Sequence, residues 1–131
     1  MTLLFETGLC GETGMLVNGQ CLISLQNTGN YQENMHSCED LEKKIAILNN
    51  TAKNYHSKML VPASGKSFFG LTDSQEEGVW KWGDGKVNAG FSDWKSDYPI
   101  RSTSLNCAVA TRDGWENVDC NSNHFAICEK G

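Results

Sequence analysis

Apolar residues at Tyr31, Met35, Cys38 and Leu41 recur at spacings of four, three and three, which is one face of a helix. Asn30 followed three positions later by Glu33 is the capping pair that would start it, so the pattern predicts a first helix over residues 31–42. Ile45 and Ile47 then alternate as a short strand. Asn50 caps a second predicted helix with an apolar face of Ala52, Tyr55 and Met59, stopped before Pro62. Upstream, Asn18-Gly19 between the apolar runs 15–17 and 21–25 predicts a two-residue hairpin. From Ser67 onward the rhythm shortens to β-rich runs at 68–71, 79–82, 107–111, 114–118 and 124–128, separated by turn residues. Helices early and strands late predict an α+β fold rather than a parallel βαβ sheet. Residues 84–106 are rich in Gly, Ser, Asp and Asn and show no period. A long irregular loop in a compact domain is usually functional, so this is where a ligand is expected.

Composition narrows the class. With 131 residues and 39% apolar content, the chain is read as one domain over residues 1–131. Its six cysteines are even in number and lack both a CxxC and the Cys/His spacing of a zinc site, so three disulfides in an oxidising compartment are expected. A net charge of −5 without a basic run argues against nucleic acid as a partner. No apolar stretch approaches the roughly 18–20 residues that cross a bilayer, so direct membrane insertion of this segment is not expected. The opening residues are too short and too acidic for a signal peptide, so a targeting segment is expected either to have been removed or to be carried by a larger parent chain. Asn49-Asn50-Thr51 is a sequon that makes Asn49 a candidate for glycosylation and agrees with secretion.

Catalytic signatures are weak. Gly65-Lys66-Ser67 imitates the end of a phosphate loop, but Leu60 stands where that loop needs glycine. His36, His56 and His124 are scattered, without an HExxH pair, and no serine sits in a GxSxG elbow. The histidines read as surface or packing residues, and no enzyme is expected.

Several segments carry a resemblance. Phe68-Phe69-Gly70-Leu71 is followed in order by Thr72-Asp73, Glu77-Gly78, Trp80-Lys81-Trp82, Asp84-Gly85 and Phe91-Ser92-Asp93-Trp94. The closing run contains Asn106-Cys107-Ala108-Val109, then Gly114-Trp115-Glu116-Asn117-Val118-Asp119-Cys120, then Phe125-Ala126-Ile127-Cys128-Glu129. From Cys10 to Lys130 the chain resembles a C-type lectin-like domain. The resemblance implies two helices packed on short antiparallel sheets beside a long irregular loop region. It also implies the pairings Cys38–Cys128 and Cys107–Cys120, with Cys10–Cys21 as the extra bridge of the long form. Trp80, Trp82, Trp94 and Trp115 fall at positions the family buries or partly buries.

The sugar site is where the chain departs. Family members that bind sugar hold calcium with a Glu-Pro-Asn or Gln-Pro-Asp triplet, an acid before the third family cysteine, and an Asn-Asp pair after a tryptophan. Calcium needs about six to eight oxygens, several of them anionic. Here the triplet is Tyr98-Pro99-Ile100, Leu105 replaces the acid, and Glu116-Asn117 follows Trp115. No cofactor is therefore expected at the usual site. If calcium binds, the candidates are Asp97, Glu116 and Asn117 at a shifted sugar site and Asp73 and Glu77 at an auxiliary one. A solvated acidic loop is the preferred reading of Asp73 and Glu77. Glu129 also matches a family ligand position, but the stretch Thr51-Ala52-Lys53 lacks the acid that should join it.

The expected function is recognition of a protein or glycan ligand without calcium at the usual sugar site, in a secreted protein or a membrane-protein ectodomain. Candidate ligand-binding residues are Asp97, Tyr98, Ile100, Arg101, Glu116 and Asn117. The alternatives are a calcium-dependent carbohydrate lectin with a rearranged site and a structural or ice- or mineral-associated protein, the last supported only by Ser102-Thr103-Ser104. Homodimerisation is one arrangement found in the family.

Overall fold

A computed structural model describes residues 14–17 and 19–130. The hairpin forms as β1 (Gly14–Val17) and β2 (Gln20–Ser24), paired antiparallel with Val17 opposite Gln20. Gly19 takes φ +83°, the left-handed conformation that the tight turn demands and that a side chain would resist. Cys10, the expected partner of Cys21, lies outside the described residues.

Helix α1 (Tyr31–Asp40) starts at the predicted capping box: Asn30 Oδ1 accepts from Glu33 N at 2.9 Å, and Asn30 N donates to Glu33 Oε1 at 2.8 Å. It stops earlier than the apolar spacing predicts. Leu41 is its C-cap and is 48% exposed, so it has left the buried face.

After β3 (Lys43–Ile45), helix α2 (Thr51–Lys58) begins at Asn50, whose side chain accepts from Lys53 N at 2.9 Å. Of its predicted inner face only Ala52 packs on the core. Tyr55 and Met59 are exposed, whereas Lys53, Asn54 and Ser57 are buried. The reason is partnership: Lys53 meets Glu129, Asn54 meets Trp115 and Asp93, and the Ser57 hydroxyl donates to Asn54 O at 2.7 Å. Polar groups whose hydrogen bonds are satisfied can be buried without the usual penalty.

The β-rich half supplies β4 (Ser67–Thr72), β5 (Lys81–Trp82), β6 (Cys107–Thr111), β7 (Gly114–Val118) and β8 (Phe125–Lys130). β5 is shorter than the predicted 79–82 because Val79 N turns back to Glu76 O. β8 begins one residue later than predicted and runs on past Cys128. The strands form one path in the order β1, β2, β8, β4, β6, β7, with β3 paired to β8 and β5 to β4. β8 is the pivot: β2 and β3 both pair antiparallel to its later residues, while β4 pairs parallel to Phe125 and Ala126. The sheet is thus antiparallel apart from that one contact.

Two disulfides are formed among the described residues, Cys38–Cys128 tying α1 to β8 and Cys107–Cys120 tying β6 to the segment after β7. Trp115 is fully buried at the centre of an aromatic cluster, with the rings of Phe69, Trp94 and Trp82 at 4.9, 5.5 and 5.9 Å. No helix among the described residues is long and apolar enough to cross a membrane.

Candidate ligand-binding loop and the calcium positions

Strand β7 and the loop before β6 are joined at Trp115. Trp115 N donates to Asp93 O at 2.8 Å and Lys95 N donates to Trp115 O at 3.0 Å, so the chain through 93–95 lies along the strand. Gly114 is required by this approach: it sits at φ +133°, and a Cβ there would stand 2.8 Å from Asp93 O. The next residue of β7, Glu116, is nearly buried and points its carboxylate at two lysines. Lys66 Nζ reaches Oε1 at 2.8 Å and Lys95 Nζ reaches Oε2 at 2.6 Å. Burial works against the carboxylate, but hydrogen bonds from Lys66 and Lys95, reinforced by their charges, hold Glu116 below the usual carboxylate range. The same hydrogen bond raises Lys95 against the opposing effect of burial.

Asn117 is also committed. Its Oδ1 accepts from Ile100 N at 2.8 Å, and its Nδ2 donates to Ile100 O at 2.7 Å and Leu105 O at 3.0 Å. It clamps the loop from beneath rather than facing solvent. Tyr98 is half-buried, with Lys95 Nζ 5.7 Å from its ring centre and a cis peptide to Pro99. Asp97 is exposed at φ +72°, Ile100 is 44% exposed, and Arg101 is exposed. The predicted residues Tyr98, Ile100, Glu116 and Asn117 are therefore linked through Lys95 and the loop backbone, while Asp97 and Arg101 flank them. Lys66 and Lys95 escaped sequence reasoning, because a lysine becomes an acid's counter-ion only once folding brings the two together. Ser102 and Ser104 turn their hydroxyls on each other at 3.0 Å.

At the auxiliary position the expectation of a solvated acidic loop is overturned. Asp73 is 3% exposed; Gly78 N donates to its Oδ2 at 2.9 Å, and its Oδ1 has no partner among the described residues. Burial lifts its carboxyl above the usual range and the charge of neighbouring Glu77 adds to this, against the opposing Gly78 hydrogen bond. Glu77 accepts from Ser102 N at 3.2 Å, which anchors the far end of the loop. At the third acidic position, Glu129 receives Lys53 Nζ at 2.8 Å.

The Glu116 carboxylate is taken by two ammonium groups, the Asn117 oxygen is taken by a backbone amide, and neither Ile100 nor Leu105 has a side-chain oxygen. No group of three or more His, Cys, Asp and Glu side chains gathers as a metal site among the described residues.

The family model for the lectin C-type domain matches residues 27–130. Hepatic lectin of Gallus gallus is 28% identical over 132 residues, covering 98% of this chain and 63% of its own length. C-type lectin domain family 4 member M of Symphalangus syndactylus is 24% identical over 92% of this chain and 29% of its own length. The chain thus spans less than two thirds of these curated relatives. The mouse scavenger receptor C-type lectin carbohydrate-recognition domain superposes with a TM-score of 0.84 at 24% identity, covering 92% of this chain and 95% of that one. With its matched segment, fold and Cys38–Cys128 and Cys107–Cys120 pairings in agreement, the chain belongs to the C-type lectin domain family.

Proposed function

We propose that this domain is an extracellular recognition module, a binder rather than an enzyme, that takes a protein or glycan ligand without calcium at the sugar position. The observation that carries the reading is the pair of ammonium groups on Glu116. They supply the positive charge that calcium would bring, and they hold the 95–105 loop in place. The contact surface is formed by Asp97, Tyr98, Ile100 and Arg101, with Glu116 and Asn117 shaping it from behind. Ile100 offers apolar area, Arg101 a cation, and Tyr98 a half-buried ring, a combination common at recognition surfaces. The disulfides support an oxidising compartment, and exposed Asn49 just before α2 is an accessible acceptor for a glycan.

The test is a thermal melt in chelator and in millimolar calcium, followed by glycan and protein binding in chelator. A ligand held only by the folded state at a hundred times its Kd adds about 2.7 kcal/mol, which shifts the melt by several degrees. The expected result is no calcium shift, with chelator-resistant binding weakened by Tyr98→Ala and Ile100→Asp. A calcium shift of several degrees together with chelator-sensitive sugar binding would overturn the reading.

A further inference from the structure

A second concave site lies between α1 and the turn at residues 83–85, and it shares no lining residue with the 97–101 surface or with Glu116 and Asn117. It has two compartments that meet at Tyr31, Met35 and Gly83. The larger, about 440 Å³, falls within the range of small-ligand pockets. Its floor contains Trp82 and the Cys107–Cys120 bridge, and its rim is polar: Gln32, Thr72, Ser74 and Asn121. None of those four side chains makes a hydrogen bond to another group among the described residues. Lys81 is the one charged group lining this compartment, and it is turned to Gln75 Oε1 at 2.9 Å. The smaller compartment, about 190 Å³, is walled by Met35, Ile45, Ile47 and the Tyr31 ring. Its charged groups, Glu39, Lys44 and Asp84, carry opposing signs.

Tyr31 joins the two compartments. Its ring is fixed edge-on against Phe68 at 5.6 Å, and burial pushes its phenol up to about 12, so it stays protonated. Its hydroxyl has no partner among the described residues, which leaves a neutral donor and acceptor at the junction. Amides and hydroxyls on one side, where Lys81 is engaged by Gln75, and the Met35, Ile45 and Ile47 slot on the other, rimmed by the mixed charges of Glu39, Lys44 and Asp84, match a ligand that is neutral and hydroxyl-rich at one end and apolar at the other.

We propose that this two-compartment cleft beside α1 binds a neutral glycoside, with the sugar ring among Gln32, Thr72, Ser74 and Asn121 and a short apolar aglycone in the slot formed by Met35, Ile45 and Ile47. The site needs no metal and goes beyond the 97–101 surface.

The experiment is a titration of the ¹⁵N-labelled domain with hexyl β-D-glucopyranoside in chelator, with methyl β-D-glucopyranoside and 1-hexanol as separate arms. Saturable shifts are expected at the amides of Tyr31, Met35, Gly83 and Asn121, with those of Ile100 and Arg101 unmoved. Each half-ligand should bind more weakly than the whole, and Tyr31→Phe should lower affinity about 3- to 10-fold while keeping a dispersed spectrum. Asn121→Ala, at the rim, provides a second variant that leaves the core untouched. The proposal is overturned if hexyl glucoside gives no saturable shift, if shifts fall at 97–101 instead, or if 1-hexanol alone binds as well as the glycoside. The last two outcomes leave the calcium-independent reading of the loop standing, so the two fail separately.

Discussion

Lys53 Nζ lies 2.8 Å from Glu129 Oε1 with both side chains closed off from solvent, and the same oxygen accepts Ile47 N at 2.8 Å. The stretch 51–53, where the family resemblance expects an acid, supplies the base Lys53 instead, and the buried carboxylate is neutralised from within the chain. Lys44, 3.8 Å from the other oxygen and half-exposed, adds little. Removing one member of a buried pair strands the other, so Lys53→Met should cost about 3–5 kcal/mol in urea unfolding. Combining it with Glu129→Gln should recover most of that loss. A single variant as stable as the parent would show that the pair does not hold α2 to β8.

Asn54 links the helix to the tryptophan core. Its Oδ1 accepts from Trp115 Nε1 at 2.8 Å, and its Nδ2 donates to Asp93 Oδ2 at 2.7 Å. Asn54→Leu fits a helix yet leaves the buried indole N–H unpaired, and should cost about 1–3 kcal/mol. Tryptophan fluorescence during denaturant unfolding reads both the loss and any change around Trp115.

Glu116 and Asp73 should give opposite pH signatures. The Glu116 carboxyl is held low, so its contribution is complete above the unfolded value of about 4.3 and is lost as pH falls through the lower folded value. Asp73 is held high, so its ionised form costs stability once pH has risen through the raised folded value, and the cost is absent below about 3.9. Melts from pH 7 to pH 3 should therefore show Glu116→Gln destabilised at neutral pH with a flatter acid limb. Asp73→Asn should be stabilised at neutral pH, with the gain disappearing in acid.

Asn117 should control loop order. Its three hydrogen bonds clamp Ile100 and Leu105, so Asn117→Ala should lower stability by about 2–3 kcal/mol. Hydrogen exchange at the Ile100 amide should accelerate much more than exchange in β4. Equal acceleration in both would assign Asn117 to the global fold instead of the loop.

What the sequence discloses depends on the distance over which each signal acts. The capping pair Asn30 and Glu33, the Asn-Gly hairpin and the Asn50 cap are local, and each appears where its residues predict. The inner face of α2 is misread because hydropathy assumes buried means apolar, whereas Lys53 and Asn54 are drawn inward by partners 76 and 39 to 61 positions away. The irregular 84–106 loop and the departures at Tyr98, Ile100 and Leu105 are legible in order along the chain. The occupation of Glu116 by Lys66 and Lys95 depends on residues 50 and 21 positions away.

The pivot role of β8 sets a timetable for biosynthesis. Cys38 is 90 positions ahead of Cys128, and β2, β3 and β4 all await the strand that carries it. At about 5–20 residues added per second, α1 spends roughly 5–18 s with its thiol unclaimed and its sheet partner unmade. During that interval Cys107 and Cys120, only 13 apart, emerge close together. Mispairing of Cys38 with Cys107 or Cys120 is therefore the competing reaction that this order of synthesis opens, and thiol–disulfide exchange is what corrects it.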